Sequence, residues 1–242
     1  MSTLLAVEGL RKSFGGIRAL DECGFEVPEG TVTALIGPNG SGKTTAFNVI
    51  TGYLPADAGT VAFRGNPVRP DPCRLQRLGL GRTFQQARIF PGLSVLENVV
   101  LGRAQPWHAL PRLRVSGTDR HRARDLLEEF GLAEHAGSHA GTLSYGQRRL
   151  LEFAAVLMGE PVLVLLDEPT AGINPIMIEA MEQHIRRRHA QGVTFLIVEH
   201  EMRLVMRLCD PVIVLDRGRL IACAAPAEVQ TDPRVLDAYL GD

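Results

Sequence analysis

Four short runs of almost entirely apolar residues stand out along the chain, at residues 31–36, 162–166, 193–198 and 212–215. A run of this length without polar alternation is typical of a strand buried on both faces, as in a parallel sheet. Helical patterns separate the last three runs, and the clearest covers residues 176–189. Strands that alternate with helices predict an α/β protein with a parallel sheet and right-handed crossovers.

Outside these runs, the pattern predicts short strands near the N-terminus and a helical segment in the middle of the chain. Short strands are predicted at residues 4–7 and 19–27, on either side of a glycine pair. From about residue 74 to residue 159 helical patterns dominate, for example at residues 120–130, with loops around Pro106 and Pro111. We therefore expect a helical segment inserted between two parts of an α/β core.

Composition and charge exclude several classes of protein. Apolar residues make up 45% of the 242 residues and charged residues 22%, which argues against disordered and fibrous proteins. The 26 basic and 27 acidic side chains leave a net charge of −1, whereas a general nucleic-acid binder usually has a basic excess. Among the basic residues only Lys12 and Lys43 are lysines.

Cysteines and terminal segments suggest a reducing compartment. The scattered residues Cys23, Cys73, Cys209 and Cys223 form no C-x-x-C pair, so we expect reduced, mostly buried thiols. The first residues lack the basic and apolar regions of a secretory signal, and no apolar run approaches the ~20 residues that span a bilayer. We expect a soluble, cytoplasmic chain.

A glycine-rich segment follows the first apolar run and fits the pattern G-x-x-x-x-G-K-[ST]. Its backbone N–H groups and the following helix N-terminus can surround phosphates, the lysine can reach the β/γ-phosphates, and the last hydroxyl can bind Mg²⁺. We expect ATP to bind through Gly37, Pro38, Asn39, Gly40, Ser41, Gly42, Lys43, Thr44 and the adjoining Thr45.

Two carboxylates end the second apolar run. Asp167 and Glu168 would lie at the carboxyl edge of the sheet, where α/β proteins hold ligands. We expect Asp167 to bind Mg²⁺ directly or through water, and Glu168 to orient and deprotonate the attacking water.

The order of these motifs resembles that of ATP-binding subunits of ABC transporters, over nearly the whole chain. The most specific segment is Leu-Ser-Tyr-Gly-Gln at residues 143–147, which resembles the family signature Leu-Ser-Gly-Gly-Gln. The resemblance implies that Ser144, Gly146 and Gln147 bind the γ-phosphate of an ATP held by the opposite subunit. Tyr145 replaces the commonest glycine.

The resemblance also assigns other residues. It implies that Gln85 senses the metal and the attacking water, that His200 contacts the γ-phosphate, and that Phe14 stacks on adenine. In the loop after Glu168, Asn174 replaces the usual aspartate, which leaves the communication role of that loop open.

The fold implied is a P-loop NTPase (RecA-like) core with a mostly parallel sheet, an N-terminal antiparallel β-subdomain and an inserted α-helical subdomain. Residues 1–242 would form one nucleotide-binding domain, with the core in residues 1–86 and 160–242 and the helical subdomain at about 87–159. The implied partners are transmembrane permease subunits, a second ATPase subunit (a paralogue or a second copy) in an ATP-sandwich dimer and, indirectly, a solute-binding protein. The chain would then lie in the cytoplasm, peripheral on the inner face of the plasma membrane.

Several short stretches are similar to the ATPases of branched-chain amino-acid importers, including residues 81–85, 170–175 and 198–202. The Ile-Asn-Pro form at residues 173–175 is typical of that branch. Alternatives are the ATPases of lipopolysaccharide export or of urea and amide uptake, a non-transport ABC ATPase and a non-catalytic nucleotide-binding regulator. The sequence does not identify the solute.

Three further segments are weaker candidates for a functional role. The apolar residues after Gln85 either pack in the core or form a groove for a permease helix; they are Ala87, Ile89, Phe90, Leu93, Val95 and Leu96. His135 and His139 have a metal-ligand spacing but are expected to be solvated. The arginines at 186–188 are expected to form a solvated helix end, with a lipid-headgroup contact as the alternative.

Overall fold

A six-stranded, mostly parallel sheet forms the centre of the protein in the computed structural model, which describes residues 2–103 and 116–240. In chain order its strands are β3 (Val32–Ile36), β6 (Leu80–Arg82), β7 (Leu163–Asp167), β8 (Thr194–Val198), β9 (Val212–Asp216) and β10 (Arg219–Ala224). Their order across the sheet is β10-β9-β3-β8-β7-β6, and only the edge pair β9–β10 is antiparallel. This arrangement confirms the predicted α/β class.

A second, antiparallel sheet lies at the N-terminal part of the chain, with the order β2-β1-β4-β5. Its strands are β1 (Thr3–Phe14), β2 (Ile17–Pro28), β4 (Ala58–Phe63) and β5 (Asn66–Val68). The predicted antiparallel β-subdomain is therefore confirmed, although β1 is longer than the segment 4–7 predicted from the sequence.

The helices fall between these strands. They are α1 (Lys43–Ile50), α2 (Pro72–Arg77), α3 (Val95–Leu101), α4 (Gly117–Glu129), α5 (Tyr145–Met158), α6 (Pro175–Ala190), α7 (Met202–Leu208), α8 (Pro226–Val229) and α9 (Pro233–Leu240), with 3₁₀ turns at Ala133–His135 and Ala140–Thr142. Within the two described ranges, no helix is long and apolar enough to cross a membrane.

The central sheet separates two apolar cores. In β7, Val164 and Leu166 face the core that contains α3, α4 and α5, whereas Leu163 and Leu165 face α1 and the antiparallel sheet. Because both faces are covered, the inner strands β3, β7, β8 and β9 are almost entirely apolar, and β7 and β9 carry a carboxylate at their carboxyl ends.

Some elements were not predicted. Strand β6 lies in the segment expected to be helical; it has three residues, one of them glycine, and shows no periodicity. The loops expected around Pro106 and Pro111 lie outside the described residues. The division into a core and a helical subdomain stays a prediction. Cys23 and Cys209 are buried, but Cys73 and Cys223 are exposed, so only half of the thiols match the expected burial.

Candidate active site

The glycine-rich segment forms the loop between β3 and α1, and two of its glycines are required by their surroundings. Gly37 has φ 150° and Gly42 has φ 102°, a backbone conformation that side chains disfavour. A Cβ at Gly37 would lie 2.1 Å from the Leu215 carbonyl oxygen, and one at Gly42 would lie 2.4 Å from the Ala19 carbonyl oxygen. The loop is thus packed tightly between both sheets.

Lys43 is the first residue of α1, and its side chain folds back onto this loop. Its Nζ donates to the carbonyl oxygens of Gly37 at 2.7 Å and Pro38 at 2.9 Å, and lies 3.4 Å from Ser41 Oγ. Burial lowers the pKa of the Lys43 ammonium, and the carboxylates of Glu168 and Asp167 oppose that shift. The Lys43 Nζ thus lies at the centre of the loop.

Asp167, at the end of β7, is 1% exposed and pairs with Arg82 of β6. Arg82 Nη2 donates to Asp167 Oδ2 at 3.1 Å, and Arg82 Nη1 donates to Thr51 Oγ1 at 2.6 Å. Among the described residues, Asp167 Oδ1 has no hydrogen-bond partner. Burial raises the pKa of the Asp167 carboxyl, and the Arg82 charge opposes this. One carboxylate oxygen therefore remains available to a further ligand.

Glu168 connects two of the predicted site residues. Gln85 Nε2 donates to Glu168 Oε2 at 3.0 Å, and His200 Nε2 lies 3.1 Å from Glu168 Oε1. Three residues that are far apart in the sequence thus meet at one carboxylate. This is the arrangement needed to hold and deprotonate a water molecule.

The backbone of Glu168 is unusual for a residue with a side chain, because its φ is 48°. Hydrogen bonds hold it on both sides. Its N–H donates to the Val198 carbonyl oxygen at 2.9 Å, and its own carbonyl oxygen accepts from Arg149 Nη2 at 2.7 Å.

A cavity of about 320 Å³ adjoins the glycine-rich loop and collects most of the predicted nucleotide contacts. Its lining comprises Phe14, Ala19, Asn39, Gly40, Gly42, Lys43, Thr44, Thr45, Glu168 and His200. Phe14 is 46% exposed, and Lys12 Nζ lies 5.6 Å from its ring centroid. The Phe14 ring and the glycine-rich loop therefore line one cavity.

The signature residues are not part of this lining. Ser144 caps α5, because its Oγ accepts from the Gln147 N–H while Gln147 Oε1 accepts from the Ser144 N–H. Tyr145 is 47% exposed and lies near Gly172. The structure therefore brings Phe14 and much of the predicted phosphate-binding loop together in one cavity, whereas the signature residues lie outside its lining.

Some apolar residues after Gln85 pack in the core, whereas Phe90 remains exposed, as a groove for a permease helix would require. Val95 is fully buried, and Ile89 and Leu96 pack against the core, whereas Phe90 is 59% exposed. Beside this segment lies a separate cavity of about 300 Å³, lined in part by Tyr53, Arg82, Phe84, Arg88 and Glu152. Core packing thus accounts for part of the apolar pattern but not for Phe90.

Sequence reasoning missed three buried charged residues around the site, Arg149, Glu152 and Glu199. It also missed Arg82, whose side chain is only 5% exposed. Glu199 Oε1 accepts from the Thr170 N–H at 2.9 Å and from its hydroxyl at 2.6 Å, and Oε2 accepts from the His200 N–H at 3.0 Å. A signal was present in the sequence, because Arg149 and Glu152 are charged residues that flank Leu150 and Leu151 at the start of the apolar part of α5.

The weaker candidates have local partners. His135 Nε2 lies 3.1 Å from Gln147 Nε2, and His139 Nδ1 lies 3.0 Å from the Gly92 carbonyl oxygen. No cluster of three metal-ligating side chains occurs among the residues that the structure describes. Arg188 is only 19% exposed and pairs with Glu129, so the prediction of a solvated run is wrong for that residue.

Comparison with protein families gives two matches. A family model described as ABC transporter matches residues 20–171. A second, described as branched-chain amino acid ATP-binding cassette transporter, matches residues 219–242. The first match spans more than half of the chain and includes both the glycine-rich loop and the signature.

Comparison with characterised proteins and solved structures extends over nearly the full length. The chain is 37% identical to the high-affinity branched-chain amino acid transport ATP-binding protein LivG of Salmonella typhimurium, over 99% of this chain and 98% of that protein. It is 36% identical to BraF of Pseudomonas aeruginosa, with the same coverage. A nucleotide-free ATP-binding cassette from an ABC transporter superimposes with a TM-score of 0.89 at 34% identity, covering 100% of both chains. An ADP-bound cassette gives 0.89 at 35%, with the same coverage.

Proposed function

The chain belongs to the ABC transporter family, and from that premise we propose that it is the ATP-hydrolysing subunit of an importer for branched-chain amino acids. The observation that carries the substrate class is the match of residues 219–242 to the branched-chain family model, together with the names of the full-length relatives. This match favours the importer over lipopolysaccharide export and over urea or amide uptake.

ATP is expected in the cavity beside the glycine-rich loop. Lys43 and the loop N–H groups would hold the β/γ-phosphates, because the loop and the start of α1 direct positive charge toward that point. The exposed Phe14 ring would stack on the base. Nucleotide binding would require Lys43 to exchange its carbonyl contacts for phosphate oxygens.

The donor set near the phosphates fits Mg²⁺, which prefers oxygen ligands. Asp167 Oδ1 is a buried carboxylate oxygen without a hydrogen-bond partner among the described residues, and the Thr44 side chain lines the nucleotide cavity. We assign Thr44, Asp167 and Gln85 as the residues that hold the ion. When bound, Mg²⁺ neutralises charge that develops on the transferred phosphoryl group.

Hydrolysis would be carried by Glu168. Its carboxylate would accept the proton of the attacking water while Gln85 and His200 keep that carboxylate oriented. His200 would also contact the γ-phosphate.

A complete catalytic site would need a second ATPase subunit. Ser144, Gly146 and Gln147 do not line the nucleotide cavity of their own chain. The backbone N–H groups in the first turn of α5, which follows the N-cap Ser144, are suited to bind an anion that belongs to another subunit. We propose that they bind the γ-phosphate of a partner subunit's ATP.

The permease contact would lie beside Phe90. Phe90 is exposed, and Arg88, two residues before it, lines a cavity that also reaches Arg82. The phenylalanine would serve as an anchor and the cavity as a groove for a short helix. This contact would place the chain on the cytoplasmic face of the membrane, with a solute-binding protein acting on the opposite side.

Solute uptake in proteoliposomes tests the proposal. The chain would be reconstituted with its permease subunits, its partner ATPase and the solute-binding protein, with ATP inside and labelled leucine, valine or isoleucine outside. We expect ATP-dependent uptake that is absent when Glu168→Gln replaces the wild-type chain. Uptake of urea or an amide without uptake of any branched-chain amino acid would contradict the substrate class.

A further inference from the structure

Arg149 connects the signature helix to both loops that carry the hydrolytic residues. It lies on α5, five residues after Ser144, and is 2% exposed. Its Nη2 donates to the Glu168 carbonyl oxygen at 2.7 Å, and its Nη1 donates to the Phe84 carbonyl oxygen. Phe84 directly precedes Gln85, so one planar guanidinium joins the backbone at Glu168 to the backbone next to Gln85.

A second side chain of the same helix strengthens this connection. Glu152 Oε1 accepts from the Phe84 N–H at 3.2 Å and from the Arg88 N–H at 3.0 Å. The helix therefore holds both the N–H and the carbonyl oxygen of Phe84. Displacement of α5 would move the loop that carries Gln85.

Stability alone does not explain a buried guanidinium at this place. Its ion-pair partner Glu152 is 4.0 Å away, and Arg149 Nε has no hydrogen-bond partner within the described ranges. A buried charge with such incomplete pairing is often no more stabilising than an apolar residue of similar size. What the guanidinium does provide is a fixed distance between two carbonyl groups.

The conformation of Glu168 makes that fixed distance important. With φ at 48°, the residue depends on its surroundings to keep its backbone, and Arg149 holds its carbonyl oxygen while Val198 holds its N–H. The direction of the Glu168 side chain follows from the orientation of these two peptide groups.

We propose that Arg149 is a positioning residue that transmits the position of the signature helix to Glu168 and to the Gln85 loop. The inference rests on the proposed function, because it concerns the ATPase reaction of this site. In a two-subunit arrangement, the signature of each chain would contact the partner's nucleotide, and Arg149 would then report that contact to the general base of its own chain.

A matched pair of variants on one helix turn tests the proposal. Arg148 also donates to two backbone carbonyl oxygens, those of Leu143 at 2.9 Å and Gly141 at 2.8 Å, but it touches neither Glu168 nor the Gln85 loop. Arg149→Lys and Arg148→Lys both keep the positive charge, but an ammonium group cannot reproduce the planar pair of hydrogen bonds that each guanidinium donates. For the full-length chain in the assembled transporter, kcat and KM for ATP, nucleotide affinity and thermal melting would be measured.

We expect Arg149→Lys to lower kcat about 10- to 100-fold, because small misplacement of a catalytic group has effects of this size. KM and nucleotide affinity should change less than about twofold, and Arg148→Lys should keep kcat within about twofold of wild type. Equal losses in both variants, or a raised KM with unchanged kcat, would overturn the proposal.

Folding and activity controls keep the outcomes distinct. If Arg149→Lys does not fold, Arg149→Gln, which removes the charge, is measured in the same way. Failure of both variants to fold would assign Arg149 a structural role and refute the proposal. Absence of ATPase activity in the wild-type transporter would instead contradict the proposed function, since the inference concerns only the ratio of variant to wild type.

Discussion

Arg82 and Asp167 form an ion pair in which the side chains are only 5% and 2% exposed, with Nη2 and Oδ2 3.1 Å apart. Removing one member of such a pair leaves an uncompensated buried charge. We expect Arg82→Met to lower the free energy of unfolding by about 3–5 kcal/mol. Urea denaturation of the single variants Arg82→Met and Asp167→Asn and of the double variant measures this, and the double variant should be more stable than the sum of the two losses predicts. Strict additivity would show that the pair is not coupled.

Glu168→Gln should separate nucleotide binding from hydrolysis. An amide cannot accept the proton of the attacking water, so the ATPase rate should fall roughly 10²–10⁴-fold, while MgATP binding persists and an ATP-bound dimer accumulates. Phosphate release and size-exclusion chromatography measure the two effects. Lys43→Ala is the contrasting variant, because it should lose nucleotide binding itself. Wild-type hydrolysis by Glu168→Gln would refute the assignment of the base.

Phe14→Ala should weaken nucleotide affinity by about 1–3 kcal/mol, the usual contribution of base stacking on an aromatic ring. Stacking tolerates any base, so the wild-type chain should distinguish ATP from GTP poorly. Isothermal titration with both nucleotides measures this. A strong preference for ATP that survives the substitution would contradict the role of Phe14.

Phe90→Asp should release the subunit from vesicles that contain its permease, because a charge replaces the apolar anchor. The side chain is 59% exposed, so the free subunit should still fold and bind ATP. Co-sedimentation, with thermal melting of the free subunit as the control, tests this. Val95→Asp, at a fully buried position, should instead destabilise the subunit itself. Retained sedimentation of Phe90→Asp would refute the docking site.

Glu152 should make stability depend on pH. Burial raises the pKa of its carboxyl to about 7 from an ordinary value of 4.5, against the lowering effect of the Arg88 N–H and the Arg149 charge. Between these pH values the folded state holds the Glu152 proton more strongly than the unfolded state. The contribution of Glu152 to the free energy of unfolding therefore falls as the pH rises from 4.5 to 7, by up to ~3 kcal/mol. Glu152→Gln should remove that decline, which urea denaturation at a series of pH values can measure. Parallel pH profiles for the two proteins would contradict the raised pKa.

The sequence predicts the elements that depend on local pattern. Strands β3, β7, β8 and β9 are buried on both faces, so each appears in the sequence as an apolar run. The glycine-rich loop is recognisable because its backbone conformation requires glycine at particular positions. Strand β6 could not be predicted in this way, because its three residues carry no period and its partner β7 lies 80 residues further on.

The charged residues around the site show the same limit. Arg82 and Arg149 acquire their roles only from partners on other segments, Asp167 for the first and the carbonyl groups of Phe84 and Glu168 for the second. The spacing of Arg149 and Glu152 shows two charges in the apolar part of α5, but nothing along the chain identifies their partners on distant segments. Gln85 and His200 were found through a family resemblance, although their common contact with Glu168 depends on the fold.

The left-handed backbone conformation of Glu168 limits which amino acids can replace it without destabilising the fold. Asparagine, aspartate and glycine accept such a φ at modest cost, and glutamine bears the same cost as the glutamate that it would replace. Valine, isoleucine and threonine resist it because their branched Cβ crowds the backbone. A descendant of this chain that abandons hydrolysis but keeps ATP as a structural ligand would therefore reach that state through the first group. The geometry of one peptide unit thus divides the single substitutions that abolish catalysis into two groups. One group leaves the fold intact, and the other also destabilises it.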